Sequence, residues 1–204
     1  MTNRAQRACW LLLLIAPLAN AASVPGEKNK GEEPPEVRYA AMLEAEYGPL
    51  GKTTEQILSR EKTHEPATIV GALVYRLRAK SPEGLSVIEK RLLAVADLRD
   101  EVNNGGFLQY FSNAAGNQSS MAMQAYRDMG AAQLVKVLQR AMSVFPGGRP
   151  SASLDARQKA IALAKRRVEA TWGSCDDEFY LRDEGFGELA LAYAKKHRAQ
   201  ITLP

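Results

Sequence analysis

From Glu36 to the C-terminus, apolar residues recur every three to four positions, and no segment alternates apolar with polar side chains in a sustained way. A chain with that period buries its apolar groups by packing helix faces together, because strands need a period of two. The expectation is an all-α fold: a single compact domain of about seven to eight short, uneven helices, an array rather than a simple bundle. With 204 residues and 46% hydrophobic content, the chain can build one ordinary core. Helix starts are legible. Thr53 or Thr54 stands where a cap belongs, and Pro66 suits a first turn. Ser81 and Pro82 suit the start of a long helix with Leu85, Ile88, Leu92, Val95 and Val102 on one face. The segment from Ser153 to Trp172 reads as one amphipathic helix, capped by Ser153 or Asp155 and striped by Leu154, Ile161, Ala164, Val168 and Trp172.

The first residues stand apart from this pattern. Arg4 and Arg7 precede the apolar run ACWLLLLIAPLA, and Ala19-Asn20-Ala21 follows as a small-x-small site. That is the form of a secretory signal peptide, residues 1–21, cleaved after Ala21. Residues 22–35 are polar with three prolines and read as a flexible leader to a domain over 36–204. The chain is therefore expected to be exported, periplasmic or secreted, with no transmembrane segment once the signal is removed. Losing two arginines leaves 25 basic residues against 23 acids, a net charge of about +2. Such a balance gives no reason to expect nucleic acid as a partner. Cys175 is the one cysteine left after processing, so it is expected to be a free, passive thiol. The neighbouring Asp176, Asp177 and Glu178 would raise its pKa, which argues against a nucleophile.

The most unusual stretch is EVNNGGFLQYFSNAAGN, Glu101 to Asn117. Asn104 and Gly105 can close a helix in the left-handed conformation, and Gly106 frees the chain to turn. Phe107 can then open a second helix, with Phe107, Tyr110 and Phe111 on one face and Gln109, Asn113 and Gly116 on the other. Two readings remain open. The amides and Glu101 can tie two helices together by satisfying exposed backbone groups. Alternatively, Glu101, Asn103, Asn104, Gly105, Gly106, Gln109, Tyr110 and Asn113 form a recognition site.

Glu101, Asn104, Gly105, Gly106, Phe107, Gln109, Tyr110, Phe111 and Asn113 together resemble the hallmark of a bacterial family of unknown function that includes a DNA-mimic protein. The surrounding helical pattern, from about Arg60 to Tyr193, is similar too. The resemblance implies an all-α fold. The mimic of that family acts through a strongly acidic surface and binds a transcription factor. A slightly positive, exported chain departs from both features, since imitating phosphates takes an array of carboxylates.

The function expected is thus an exported protein-interaction module with a protein partner of unknown identity, not a DNA mimic itself. The alternative is a small hydrolase or metal-dependent enzyme using Glu101, Asp97 and Asp100, because Asp97 and Glu101, four apart, share a helix face. No cofactor or metal is expected, since His64 and His197 lack metal-ligand spacing to each other or to a cysteine. The acids Asp176, Asp177, Glu178, Asp183, Glu184 and Glu188 read as a solvated loop and a helix start. The run Lys165-Arg166-Arg167 lies in a region, 131–170, with eight basic and two acidic residues. It could meet an acidic partner, anionic lipid or a polyanion, although a solvated helix face is the simpler reading.

Overall fold

The computed structural model describes residues 34–204, so the expected signal peptide and nearly all of the expected leader lie outside the described residues. Among the described residues the regular structure is entirely helical: α1 Pro35–Tyr47, α2 Thr54–Leu58, α3 Pro66–Leu77, α4 Val87–Ser112, α5 Ser119–Asp128, α6 Ala132–Met142, α7 Leu154–Leu163, α8 Lys165–Arg182 and α9 Phe186–Lys196. The all-α expectation holds, with nine α-helices among the described residues instead of the about seven to eight that the pattern suggests.

α4 is the hub. It packs against α3, α5, α7 and α8, while α9 covers α3 and α6 lies on α8. Ile88, Leu92, Val95 and Val102 are buried on α4 as their spacing requires, and Leu85 lies just outside the helix. The start of α4 differs from expectation. Pro82 opens only a short 3-10 turn, Pro82–Gly84. Ser86 is the true cap, accepting from the Glu89 backbone N–H, while Glu89 Oε2 accepts from Ser86 N at 2.7 Å. That reciprocal capping box satisfies two amides a lone Ser-Pro cannot reach.

The expected helix 153–172 is broken at Ala164, which has φ −97° and ψ 18°. Arg157, Ile161, Ala164, Val168, Trp172, Cys175 and Phe179 continue a spacing of three or four residues across the break. The two halves face different partners, however. α7 turns to the end of α4, and α8 lies between α4 and α6. No glycine or proline marks the break, so it is set by packing. α8 also runs on through Arg182, over the stretch read as a solvated acidic loop.

The C-terminal tail is clasped by a buried carboxylate. Glu89 is fully buried, and its two oxygens each accept from Lys80 Nζ at 2.9 Å. Glu89 Oε1 also accepts from Thr202 N at 2.7 Å, and Thr54 Oγ1 donates to Ile201 O at 2.6 Å. Burial alone would raise the Glu89 pKa, but Lys80 and the two backbone N–H donors outweigh it and hold the carboxyl below its usual range. Because the folded value is lowered, its stabilising effect is complete above the ordinary glutamate range and fades as pH falls through the folded pKa. We expect Glu89→Ala to cost about 3 kcal/mol in urea unfolding at neutral pH, since it strands the Lys80 ammonium. The difference from wild type should shrink at pH values well below the ordinary glutamate range.

Candidate functional site

The hallmark stretch forms a break inside α4. Gly105 leaves the helical range, with φ −156° and ψ 25°, and Gly106 carries the positive φ of +72° with ψ −174°. The sequence suggests the left-handed conformation at Asn104 and Gly105. Gly106 takes it instead because that backbone region is open essentially to glycine alone. Two limbs result, 87–104 and 107–112. Phe107, Tyr110 and Phe111 are completely buried, and their rings join Phe145, Trp172 and Phe179 in one aromatic core.

The break exposes backbone groups in the middle of the fold, and named side chains satisfy them. Asp176, on α8, accepts from Phe107 N at 2.8 Å and so caps the second limb. Burial raises its pKa, and the N–H it receives pulls the other way. Tyr180, one turn further on α8, donates to Val102 O at 2.9 Å. At the far end of the second limb stands Arg157, fully buried on α7. Its guanidinium donates to Phe111 O at 3.0 Å, Asn113 O at 2.6 Å, Ser151 O at 2.7 Å and Asn117 Oδ1 at 2.5 Å. Gln158 donates to Ser112 O at 3.0 Å. A cation on the last carbonyls of a helix complements the negative end of its dipole. Gly116 makes room for it: a Cβ there would lie 2.8 Å from Tyr110 O and 3.0 Å from Arg157 Nε.

The amides then knot the limbs together. Glu101 Oε2 accepts from Gln109 Nε2 at 2.7 Å and from Asn113 Nδ2 at 2.9 Å, and Asn104 Nδ2 donates to Gln109 Oε1 at 2.9 Å. In an unbroken helix Gln109 and Asn113 would lie about 12 and about 18 Å further along the axis than Glu101. Only the bend at Gly105-Gly106 brings these groups within hydrogen-bonding distance.

The candidate binding residues therefore divide. Tyr110 and Gly106 are buried, Glu101 is nearly so, and all three are closed to a partner approaching from outside. Gln109 and Asn113 are half-buried and engaged with Glu101. Asn104 and Gly105 are exposed and Asn103 is partly so. Leu108, just after the break, and Tyr180 and Leu181 on α8 are exposed large apolar side chains, and the Tyr180 hydroxyl reaches Val102 O.

The carboxylates of the alternative enzyme reading are also placed. Asp97 Oδ1 and Asp100 Oδ2 both accept from Arg78 Nη2, at 2.7 and 2.9 Å, while Glu101 faces the amides. Among the described residues, no group of three or more His, Cys, Asp or Glu side chains is arranged to hold a metal ion. His64 is exposed beside Thr63, and His197 lies against the Tyr193 ring. Cys175 is buried; burial pushes its thiol pKa up, Arg140 at 3.2 Å pulls it down, and Asp176 and Glu178 add to the rise.

The acidic stretch is not a solvated loop. Asp176 caps Phe107, Glu178 pairs with Arg140 at 2.8 Å, and Asp183 forms a two-pronged pair with Arg99, both contacts at 2.7 Å. The Arg99 guanidinium also lies over the Phe186 ring, 4.5 Å from its centre. Sequence reasoning missed Arg157 and Arg99. For Arg157 a signal was present, because it stands in register with the apolar stripe through Ile161 and Val168.

Two outcomes follow from this geometry. Gly106→Ala should cost about 2 kcal/mol in chemical denaturation, from the positive φ and from a Cβ only 2.8 Å from Asp176 Cγ. The same change in an Asp176→Ala background should cost less, because the collision partner is gone. The second concerns pH. Burial pushes Asp100 up to about 7, Asp97 adds to the rise, and Arg78 and Arg99 oppose it. Its ordinary value is 3.8, so from about pH 4 to about pH 7 the folded chain holds a proton the unfolded chain has lost. Stability from this group falls as pH rises through that window. Urea midpoints at pH 5 and pH 8 should show wild type losing stability relative to Asp100→Asn.

No curated protein and no solved structure matches this chain. Residues 83–197 match the family described as DMP19-like protein. That span runs from just before the Ser86 cap to His197. It takes in the helix break, the Asp176 cap and the Arg157 site, and leaves out α1 to α3. It covers more than half of the chain, and the chain belongs to the DMP19-like protein family, the family of unknown function with a DNA-mimic member that the hallmark residues resemble.

Proposed function

We propose that this chain is an exported protein-interaction module, not a DNA mimic itself, and that its partner docks at the outer rim of the helix break. One observation carries the reading. Of the large apolar side chains left exposed among the described residues, Leu108 follows the break directly, Tyr180 reaches it through its hydroxyl on Val102 O, and Leu181 is the next residue along α8. An aromatic and two leucines grouped with amides have the composition of an interface centre with a polar margin. The knot ties the limb that carries Leu108 to Glu101, which lowers the ordering needed on binding.

The DNA-mimic activity is not carried over, because several of the carboxylates here are committed within the fold. Asp97, Asp100, Asp176, Asp183 and Glu178 are bound to Arg78, Phe107 N, Arg99 and Arg140. What remains outside is mixed in sign, unlike a row of phosphates.

A photo-crosslinking amino acid at position 108 or 181 tests this in cells producing the full chain. The expected result is capture of the same polypeptide from both positions, lost when Leu181→Asp is added to the position-108 protein. A control at Lys52, which is exposed, should not capture it. Capture of nothing, or of the same set from position 52, would refute the reading. Changing Gln109 or Asn113 would be a poor test, since those amides hold the limbs together.

A further inference from the structure

The corner between α7 and α8 points to a second interaction surface, distinct from the rim of the helix break. Leu163 ends α7 with 90% of its surface exposed, more than any other large apolar side chain among the described residues. Ala162, Lys159, Lys165 and Arg166 around it in sequence are exposed as well. Some bases near the surface reach carboxylates, as in Arg91–Asp128, Arg140–Glu178 and Lys195–Glu61, while others, such as Lys52, Lys136 and Arg149, do not. Among the described residues, Lys159, Lys165 and Arg166 have no such ion pair. Glu169 lies four residues after Lys165 yet makes no ion pair with it. Arg167, exposed as well, donates to Val144 O at 3.2 Å.

The break at Ala164 creates this corner. It lets Arg157 stay on the end of α4 while Val168 and Trp172 stay in the core, and it leaves the residues of the bend facing out. We propose that this corner docks on an anionic phospholipid surface, with Leu163 entering the headgroup layer and Lys159, Lys165 and Arg166 lying among the lipid phosphates. Charge complementarity selects the sign of the occupant. Size selects its kind. A stable protein contact buries about 800 Å² on each partner, far more than one leucine at a convex bend offers. A lipid surface needs only an apolar side chain to insert and a few bases to hold it, with long basic stems that can lie along the interface. The inference does not rest on the protein-binding reading above.

The test uses the full chain with Leu163→Trp and vesicles of phosphatidylglycerol mixed with phosphatidylcholine, beside pure phosphatidylcholine. Subtracting the wild-type emission removes Trp10 and Trp172 and any effect of the N-terminal apolar run, so the difference reports position 163. A blue shift with the anionic vesicles and none with the neutral ones is expected. Adding Lys159→Glu, Lys165→Glu and Arg166→Glu should weaken partitioning at least about tenfold. Raising salt from about 0.05 M to about 0.5 M should weaken it similarly. All of these side chains are exposed, and circular dichroism verifies the fold. No shift with anionic vesicles, an equal shift with neutral ones, or indifference to charge reversal would each overturn the proposal. So would a shift produced by polyglutamate and not by vesicles, which would assign the corner to an acidic protein.

Discussion

A helix broken in the middle of a protein leaves carbonyls at one end and N–H groups at the other that need new partners, and the rest of this fold is arranged around that fact. The break at Gly105-Gly106 creates those groups. Asp176 and Tyr180 reach them from α8. Arg157 and Gln158 reach the other end of the second limb from α7. The positions of α7 and α8 are thus fixed by polar needs as well as by apolar burial, and the interruption at Ala164 lets one stretch of sequence serve both ends. An unsatisfied buried backbone group costs about 1–3 kcal/mol, so each of these contacts removes a penalty comparable with a sizeable part of a domain's net stability.

The same logic governs the buried charges. Glu89, Arg99 and Arg157 are almost inaccessible, and none is left bare. Glu89 is met by Lys80 and two backbone donors, Arg99 by Asp183 and the Phe186 face, and Arg157 by four oxygens without a carboxylate among them. Each joins segments far apart in sequence: the C-terminal tail to the start of α4, the end of α8 to its middle, and α7 to its end. Such contacts give the array a unique arrangement where apolar helix faces alone would allow several.

This arrangement separates what the hallmark residues do from what the surface does. Glu101, Gln109 and Asn113 spend their hydrogen-bonding capacity on one another, so the family signature here describes an internal joint with an exposed rim. Members of one family can share that joint and differ in everything outside it. An acidic exterior suits a DNA mimic. The exterior of this chain is mixed in sign, and on the reading proposed above it serves other surfaces.

The sequence by itself determined the helical class, because a period near 3.6 cannot be buried as strands, and it determined most helix starts through short-range signals such as Thr53 and Pro66. It also marked Glu101 to Asn117 as a joint or a site, since a Gly-Gly pair among amides is unsuited to the middle of a plain helix. What it could not specify depends on partners distant in the chain. The Ala164 break carries no glycine or proline; it exists because Arg157 and Trp172 are drawn to different neighbours. The acids after Cys175 look solvated when read alone, and only tertiary packing brings Phe107 N, Arg140 and Arg99 to them. Whether Glu101 is a ligand-facing group or a buried knot was likewise decided by the bend, which folds Gln109 and Asn113 back across a distance no straight helix allows.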